Sequence, residues 1–583
     1  MAGNLRALTL AIDGSSIDDS LITGVIEVTH EESSSSLMTV TGLLPSGTYD
    51  PSSLIGKEIT LDVIIGSTST RIFSGLIDFP DFDVINGLIT LNCSNVLKEQ
   101  LNNTSFRYSH NGVIKGKNQL GYYSDSVFGE ATEQKDEIEN RLETVQGSLD
   151  LLPNGNIFLT DWEPDLANAV SFGSSDVYRR APSVKVAERG RIVNKVNIDL
   201  EFQYQRLRYR TRDYTWTMKN PVTGGAFTAC TVAAWGFYPP QMSTINGALE
   251  ATGLPYTSSG SISISNIGGP SCNTDNVCGK VSTQSLGSPW LYEMNGEARV
   301  SSARWTLLKR YAQNISEKIT LTVNAPQSQS AYGVVESNYS HGLRVEYDAS
   351  EWENQKTFSA PPSGFTLSNN GEYVYNLDDL GDYQDRFRNM FNTAKAKAYR
   401  AIAESHRQTR VMFEVDANPS ISITDTVNLS TSKLSAVGKV HSVRHTIDAS
   451  IHDASTEITL AVSRSVGSAT PTDLQYTDVR TQLVDPPTSA RSTVSYGVTV
   501  LEPNVETPEN VGGLIYRKAR ANSYFPFDAF TLFDNCISFD YCRIGFAVLF
   551  DAIEPQFRDN KETEGEYSVT AAIRNDALSV TVE

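Results

Sequence analysis

A chain of 583 residues is too long for a single hydrophobic core, and three or four domains are expected. Its net charge of −20 leaves no concentrated Lys and Arg surface to neutralise phosphate, which argues against nucleic-acid binding as its role. No apolar run approaches the roughly 18 residues of a membrane span. Six cysteines are too few for a disulfide scaffold.

The N-terminus, MAGNLRALTLAIDGSS, carries a short alternating run with no continuous apolar region, so synthesis and folding in a cytoplasm are expected. Plentiful Ser, Thr, Gly and Asn and few helical stretches predict a mainly β, multi-domain chain with α+β parts. Residues 1–110 read as a first β domain. Ile59, Leu61, Val63 and Ile65 alternate, Gly66-Ser67 turns the chain, and Leu88–Cys93 closes the run, with Cys93 as a small buried residue. Residues 111–180 hold a helix from 131, with Ile138, Leu142 and Val145 on one side, and a hairpin turned by Asn154-Gly155. The carboxylates around that helix suit a solvated face better than an acid–base site.

Val196, Ile198, Leu200, Phe202 and Tyr204 alternate with polar residues in a half-buried strand. Residues 217–297 are rich in Gly, Ser and Pro and read as an insertion. Its aromatics Trp235, Phe237, Tyr238, Tyr256, Trp290 and Tyr292 could stack on sugars or simply pin loops. Trp305, Leu308 and Ala312 predict a helix, and Ile319, Leu321 and Val323 a strand. In the peripheral segment 331–407, Phe387, Met390, Phe391, Ala394, Ala398 and Ile402 fall at the offsets of one helix face. Asp382 is placed to cap that helix, with His406 and Arg407 at the negative end of its dipole. The period then switches to two at Val411, Phe413 and Val415, at Ile421 and Ile423, at Val427 and Leu429, and at Ile458, Leu460 and Val462. Residues 466–513 read as a loose arm broken at Pro486-Pro487, leading into an aromatic-rich module, the two together spanning 467–583.

Four groups of segments resemble the central tail hub proteins of tailed bacteriophages. They are RIFSGLID with ITLNCSNVLKEQL at 71–101, RIVNKVNIDLEFQYQRLRYR at 191–210, ARWTLLKRYAQNISEKITLTVNAPQS at 303–328, and AESHRQTRVMFEV with LSAVGKVHSVRHTIDAS and TEITLAVS across 403–463. The match is by order and texture of segments and covers about half of the chain. The insertion and everything after about 470 lie outside it. The resemblance implies two tube-type β-barrel domains, the second assembled from 181–216, 298–330 and 408–466. It further implies a homotrimer in the virion tail, assembled in the host bacterial cytoplasm, whose six barrels match a threefold tip to a sixfold tube. The implied partners are the tail tube or distal tail protein, the tape measure protein and tip or spike proteins, with DNA passing through unbound.

No HExxH, GxSxG, P-loop or strand-preceded GxGxxG is present, so a non-enzymatic role is expected. A tail-associated cell-wall hydrolase or glycan-binding tip protein is the alternative. His441 and His445 lie on a predicted strand, about 13 Å apart, too far to share one metal ion. Cys272 and Cys278 form one C-x5-C pair, and Cys536 and Cys542 another. Together they would supply the four thiolates of a zinc ion or iron–sulfur cluster, although the spacing also suits free or locally paired cysteines. Arg386, Arg388, Lys395, Lys397 and Arg400 make the central helix basic within an acidic chain, as an interface to an acidic neighbouring domain or subunit would require. Eleven Phe and Tyr lie between Tyr516 and Phe557, enough for a docking surface rimmed by Arg543 and Arg558 or for a small core of their own.

Overall fold

The computed structural model describes residues 5–43, 50–95, 101, 107–110, 113–116, 120–177, 179–218, 240–261, 300–344, 349–376, 381–451, 453–465, 470–479, 483–485, 487, 494–501, 512–518 and 541–582. Among these, β structure dominates, in one 14-stranded, one 10-stranded and one 4-stranded sheet.

The largest sheet holds two units side by side. In the first, Val25–Glu31, Leu37–Leu43, Leu88–Ser94, Thr68–Asp83, Glu58–Ile65, Leu5–Ile12 and Ser15–Ile17 follow one another as neighbours, all antiparallel. Their alternation puts Leu10, Val28, Val40, Leu61, Phe73 and Cys93 into one core. Burial pushes the Cys93 thiol up to about 12, consistent with the inert buried residue expected there. Gly75 is required by close approach, since a Cβ there would stand 2.2 Å from the Ser94 carbonyl oxygen.

The second unit is built from Leu434–Asp448, Asp453–Val462, Thr409–Asp416 and Arg180–Lys185, with Val170–Gly173, Thr426–Ser430 and Leu578–Val580 beside them. Its own core contains Val411, Phe413, Val427, Leu429, Ile458 and Leu460. Ile421 and Ile423 are buried there too, but in a turn-rich connection and not in a strand. The two units meet where Val25–Glu31 pairs antiparallel with Ser442–Asp448.

The 10-stranded sheet is organised by two 23-residue strands, Lys195–Thr217 and Ser302–Asn324, paired without interruption from Lys195↔Asn324 to Thr217↔Ser302. At about 3.4 Å per residue this ribbon is about 75 Å long. The expected helix at Trp305–Ala312 is therefore strand. Leu307, Leu308, Arg310 and Tyr311 are all buried, so both faces are covered and the alternation that marks a strand is erased. The ribbon also belongs to this sheet, whereas Thr409–Val462 belongs to the other. The expected grouping of 181–216 and 298–330 with 408–466 thus divides between two sheets.

The helix Gly381–His406 lies across the ribbon. Phe387, Met390, Phe391, Ala394, Ala398 and Ile402 are all fully buried against Ile198, Phe202, Ile319 and Leu321. His406 does not act as a charged partner of the helix dipole. It is buried and pushed below the ordinary histidine range, with Nδ1–H donating to the Ile402 carbonyl at 2.8 Å and Nε2 accepting from the Ser328 hydroxyl at 2.7 Å. The 4-stranded sheet carries the Gly147–Leu151 and Ile157–Asp161 hairpin. Asn154-Gly155 turns it, with Gly155 at φ 82°, and the helix Gln134–Leu142 packs nearby. No helix among the described residues is long and apolar enough to cross a membrane.

Candidate functional site

Three buried polar centres hold these parts in register. The first surrounds Glu32, just past the end of Val25–Glu31. Arg407 donates to both of its oxygens at 2.7 Å, Lys439 at 2.9 Å, and His441 Nδ1 lies 3.0 Å away. Lys439 also donates to Ser148 Oγ at 2.7 Å, and Asp150 accepts from the Ser33 amide at 3.0 Å. Burial alone would raise the Glu32 carboxyl, but His441, Arg407 and Lys439 together hold it far below the usual range. Trp162 stacks beneath the guanidinium groups of Arg400 and Arg407, at 4.6 and 5.1 Å. Four separate pieces of chain converge here: the first β unit, the 147–162 hairpin, the helix end and the second β unit.

The second centre lies on the seam between the β units. His30 and His445 meet edge to face with centroids 6.0 Å apart, beside a cavity of about 340 Å³ lined by Ile72, Leu151, Pro153 and Ile421. The Ile72 carbonyl can only accept, so His30 Nε2 carries the proton at 2.9 Å and Nδ1 accepts from Ser36 Oγ at 2.7 Å. His445 Nδ1 sits 3.1 Å from Thr456 Oγ1. Burial pushes His30 down to about 4 and His445 to about 3.

Acidification should therefore loosen the seam. Between about pH 6.5 and the folded-state values the unfolded chain binds more protons than the folded one, so stability falls as pH falls. The expected slope is on the order of 1 kcal/mol per pH unit per histidine. The carboxylates that face the seam, Glu27, Glu31 and Glu32, are held by Arg444, His441 and Arg407, and Arg71 is held by Asp62. Glu32 adds its own loss only below the ordinary carboxylate range. Melting temperatures between pH 7.5 and 5 should fall for the parent chain and fall less for His445→Gln. Identical slopes would remove the pair as the cause.

The third centre lies within the long ribbon. Past Tyr204 the buried face of Lys195–Thr217 changes from apolar to Arg206, Arg208, Arg210 and Arg212, then returns to Tyr214 and Trp216. Arg208 is fully buried. It donates to Asp485 at 2.8 and 3.0 Å, to Gln313 at 2.7 Å and to Glu372 at 3.2 Å, with the Phe557 ring 5.4 Å from its guanidinium. Arg210 pairs with Glu372 and with Glu554, Arg206 pairs with Asp485, and Tyr311 donates to Glu372 at 2.7 Å. The described parts of the arm expected to be loose are pinned at Tyr476, Val479 and Asp485, all buried. The described part of the aromatic module adds strands Gly513–Lys518 and Tyr541–Ala547 to the same sheet, and Phe546 packs on Trp216 and Trp305. These arginines continue the phase of the Val196–Tyr204 alternation. That phase was the available signal that they face inward.

The basic residues of the helix separate into two groups. Lys395 donates to Asp473 and to the Leu474 carbonyl, each at 2.7 Å, and Lys397 pairs with Glu143 at 2.8 Å over the Phe128 ring. Arg400 donates to the carbonyls of Leu142, Val145 and Gly147. Arg386 and Arg388 are exposed, Arg388 pairing with Asp385 one turn back at 2.9 Å. Arg558 is exposed beside Asp559, and Arg543 falls on the strand Tyr541–Ala547. Cys272, Cys278 and Cys536 lie outside the described residues, as do Trp235, Phe237, Tyr238, Trp290 and Tyr292, and Cys542 falls on the same strand as Arg543. Among the described residues no three His, Cys, Asp or Glu side chains are grouped to hold a metal ion.

No protein-family profile matches this chain, and no curated protein matches it in sequence. Solved structures do. One is the 43 kDa tail protein of prophage MuSo2 from Shewanella oneidensis, with TM-score 0.35 and 9% identity over 78% of this chain and 98% of that one. The tail protein from Neisseria meningitidis MC58 gives TM-score 0.34 and 7% identity over 78% of this chain and 96% of that one. Prophage tail protein gp18 from Listeria monocytogenes EGD-e gives 0.29 and 8% over 78% and 94%.

Proposed function

We propose that this chain is a non-enzymatic structural component of a phage tail, the central hub of its tip or baseplate. One observation carries the reading: two small β units, each with its own core, stand side by side in one sheet. Among the described residues, the end strands Ser15–Ile17 and Arg180–Lys185 have no neighbour on their outer side, where backbone groups could continue into another copy. Three copies would then set six units around one axis, which is how a threefold tip can meet a sixfold tube. The resemblance of segments 71–101 and 403–463, one in each unit, to tail hub proteins supports the same assignment.

In this arrangement the chain is a homotrimer lining the DNA channel. Its net charge of −20 offers the passing duplex little counter-charge, so DNA moves through without being held. The tail tube or distal tail protein, the tape measure protein and the tip or spike proteins are its partners in the virion tail. Light scattering on the purified chain should give three times 63.9 kDa. A stable dimer or hexamer would contradict the trimer.

A further inference from the structure

The strand Thr68–Asp83 continues past the end of its neighbour Glu58–Ile65, with Phe82 still packed against the core of the first β unit. It pairs with Glu58–Ile65 only as far as Leu76, and no residue from Asp78 to Asp83 is buried. Among the described residues its only ladder partner from Phe79 onward is Leu88–Asn92, so the hairpin ends in an arm whose outer edge has no described neighbour. At its tip Val84 and Ile85 are 85% and 95% exposed, and Phe79 on the arm is 58% exposed. The tip is pre-formed. Asp83 accepts from the Ile85 and Asn86 amides, each at 3.1 Å, and from Asn86 Nδ2 at 2.6 Å, and Gly87 at φ 67° closes the turn.

Adjacent aliphatic side chains held almost wholly in water on a fixed turn gain by being covered, in proportion to the apolar surface removed from water. The charge pattern says what covers them. Asp78, Asp81 and Asp83 flank the apolar residues, and there is no Lys or Arg between Arg71 and Lys98. The adjoining strand Leu37–Leu43 carries no charge at all. At this contact a second copy's arm would bring the same aspartates, which disfavours it there. Pro80 lacks the N–H that an added strand would need, and the register slips between Ile77 and Phe79, so side-chain insertion fits better than strand addition.

We infer that the 79–88 arm docks its Val84–Ile85 tip on an apolar surface flanked by Lys or Arg on a different protein chain. The inference does not depend on the tail assignment, since the arm's exposure and charge stand whatever the particle. A fluorescent Leu/Lys amphipathic peptide and its Leu/Glu counterpart, titrated against the full chain, test it. The Leu/Lys peptide should bind the parent chain and bind at least tenfold more weakly to V84S/I85S and to Asp81→Lys, with the Leu/Glu peptide failing on all three. Both variants alter exposed side chains, and unchanged melting temperatures would show that they fold. Equal binding of the Leu/Lys peptide to parent and V84S/I85S, or no binding to either, would overturn the inference. So would self-association of the parent that V84S/I85S abolishes, because the occupant would then be a second copy.

Discussion

Phe391→Ala is expected to cost about 3–5 kcal/mol of stability, the range for emptying a fully buried aromatic site. Phe391 and Phe387 have no exposed surface, and Phe387 meets Phe202 edge to face with centroids 4.8 Å apart. The site has little room to collapse. The ribbon beneath the helix is held by its continuous ladder, and Tyr476 closes the cluster from the side of the C-terminal arm. The loss should be cooperative, because the same helix carries Lys395 into its contact with Asp473 and Lys397 and Arg400 into theirs with the 142–147 segment. Urea unfolding of Phe387→Ala and Phe391→Ala, followed by circular dichroism, checks this. Midpoints within error of the parent would mean that the helix does not organise the chain.

Asp485→Asn should be comparably damaging for a different reason. It leaves Arg206 and Arg208 buried without the carboxylate that both use, and breaking a buried pair from one side costs about 3–5 kcal/mol. Burial alone would raise the Asp485 carboxyl, and Arg208 holds it below its ordinary value, so the charged form is the one that fits. Limited proteolysis should then cut the chain around Asp485 much faster than in the parent. Arg388→Ala is the control, since its exposed pair with Asp385 is worth less than about 1 kcal/mol. Replacing Arg208 and Asp485 together by Leu should recover part of the loss relative to Asp485→Asn, because Arg208 is no longer buried without its carboxylate and only Arg206 loses its partner.

The periodic parts of this fold were legible. The six apolar residues at helical spacing are the apolar residues that the Gly381–His406 helix buries, and the period-two runs Val411–Val415 and Ile458–Val462 lie in the strands Thr409–Asp416 and Asp453–Val462. Legibility failed where burial stops being one-sided. At Trp305–Tyr311 both faces are covered, so i, i+3 and i+7 coincidences passed for a helix. It failed again where a contact has no local signature. Nothing near Asp485 announces that it meets Arg208, which is 277 positions away, so the arm read as loose. The basic helix face was recognisable from charge count, but a count cannot say whose carboxylates answer it. For Lys395 and Lys397 they are Asp473 and Glu143 of the same chain.

The hub assignment is tested most directly by a reconstruction of the tail particle that carries this chain. It should place three copies at the distal end of the tube, with their two β units alternating in a ring of six around an open channel. A sixfold or twofold arrangement of the chain, or a position away from the tail axis, would contradict it.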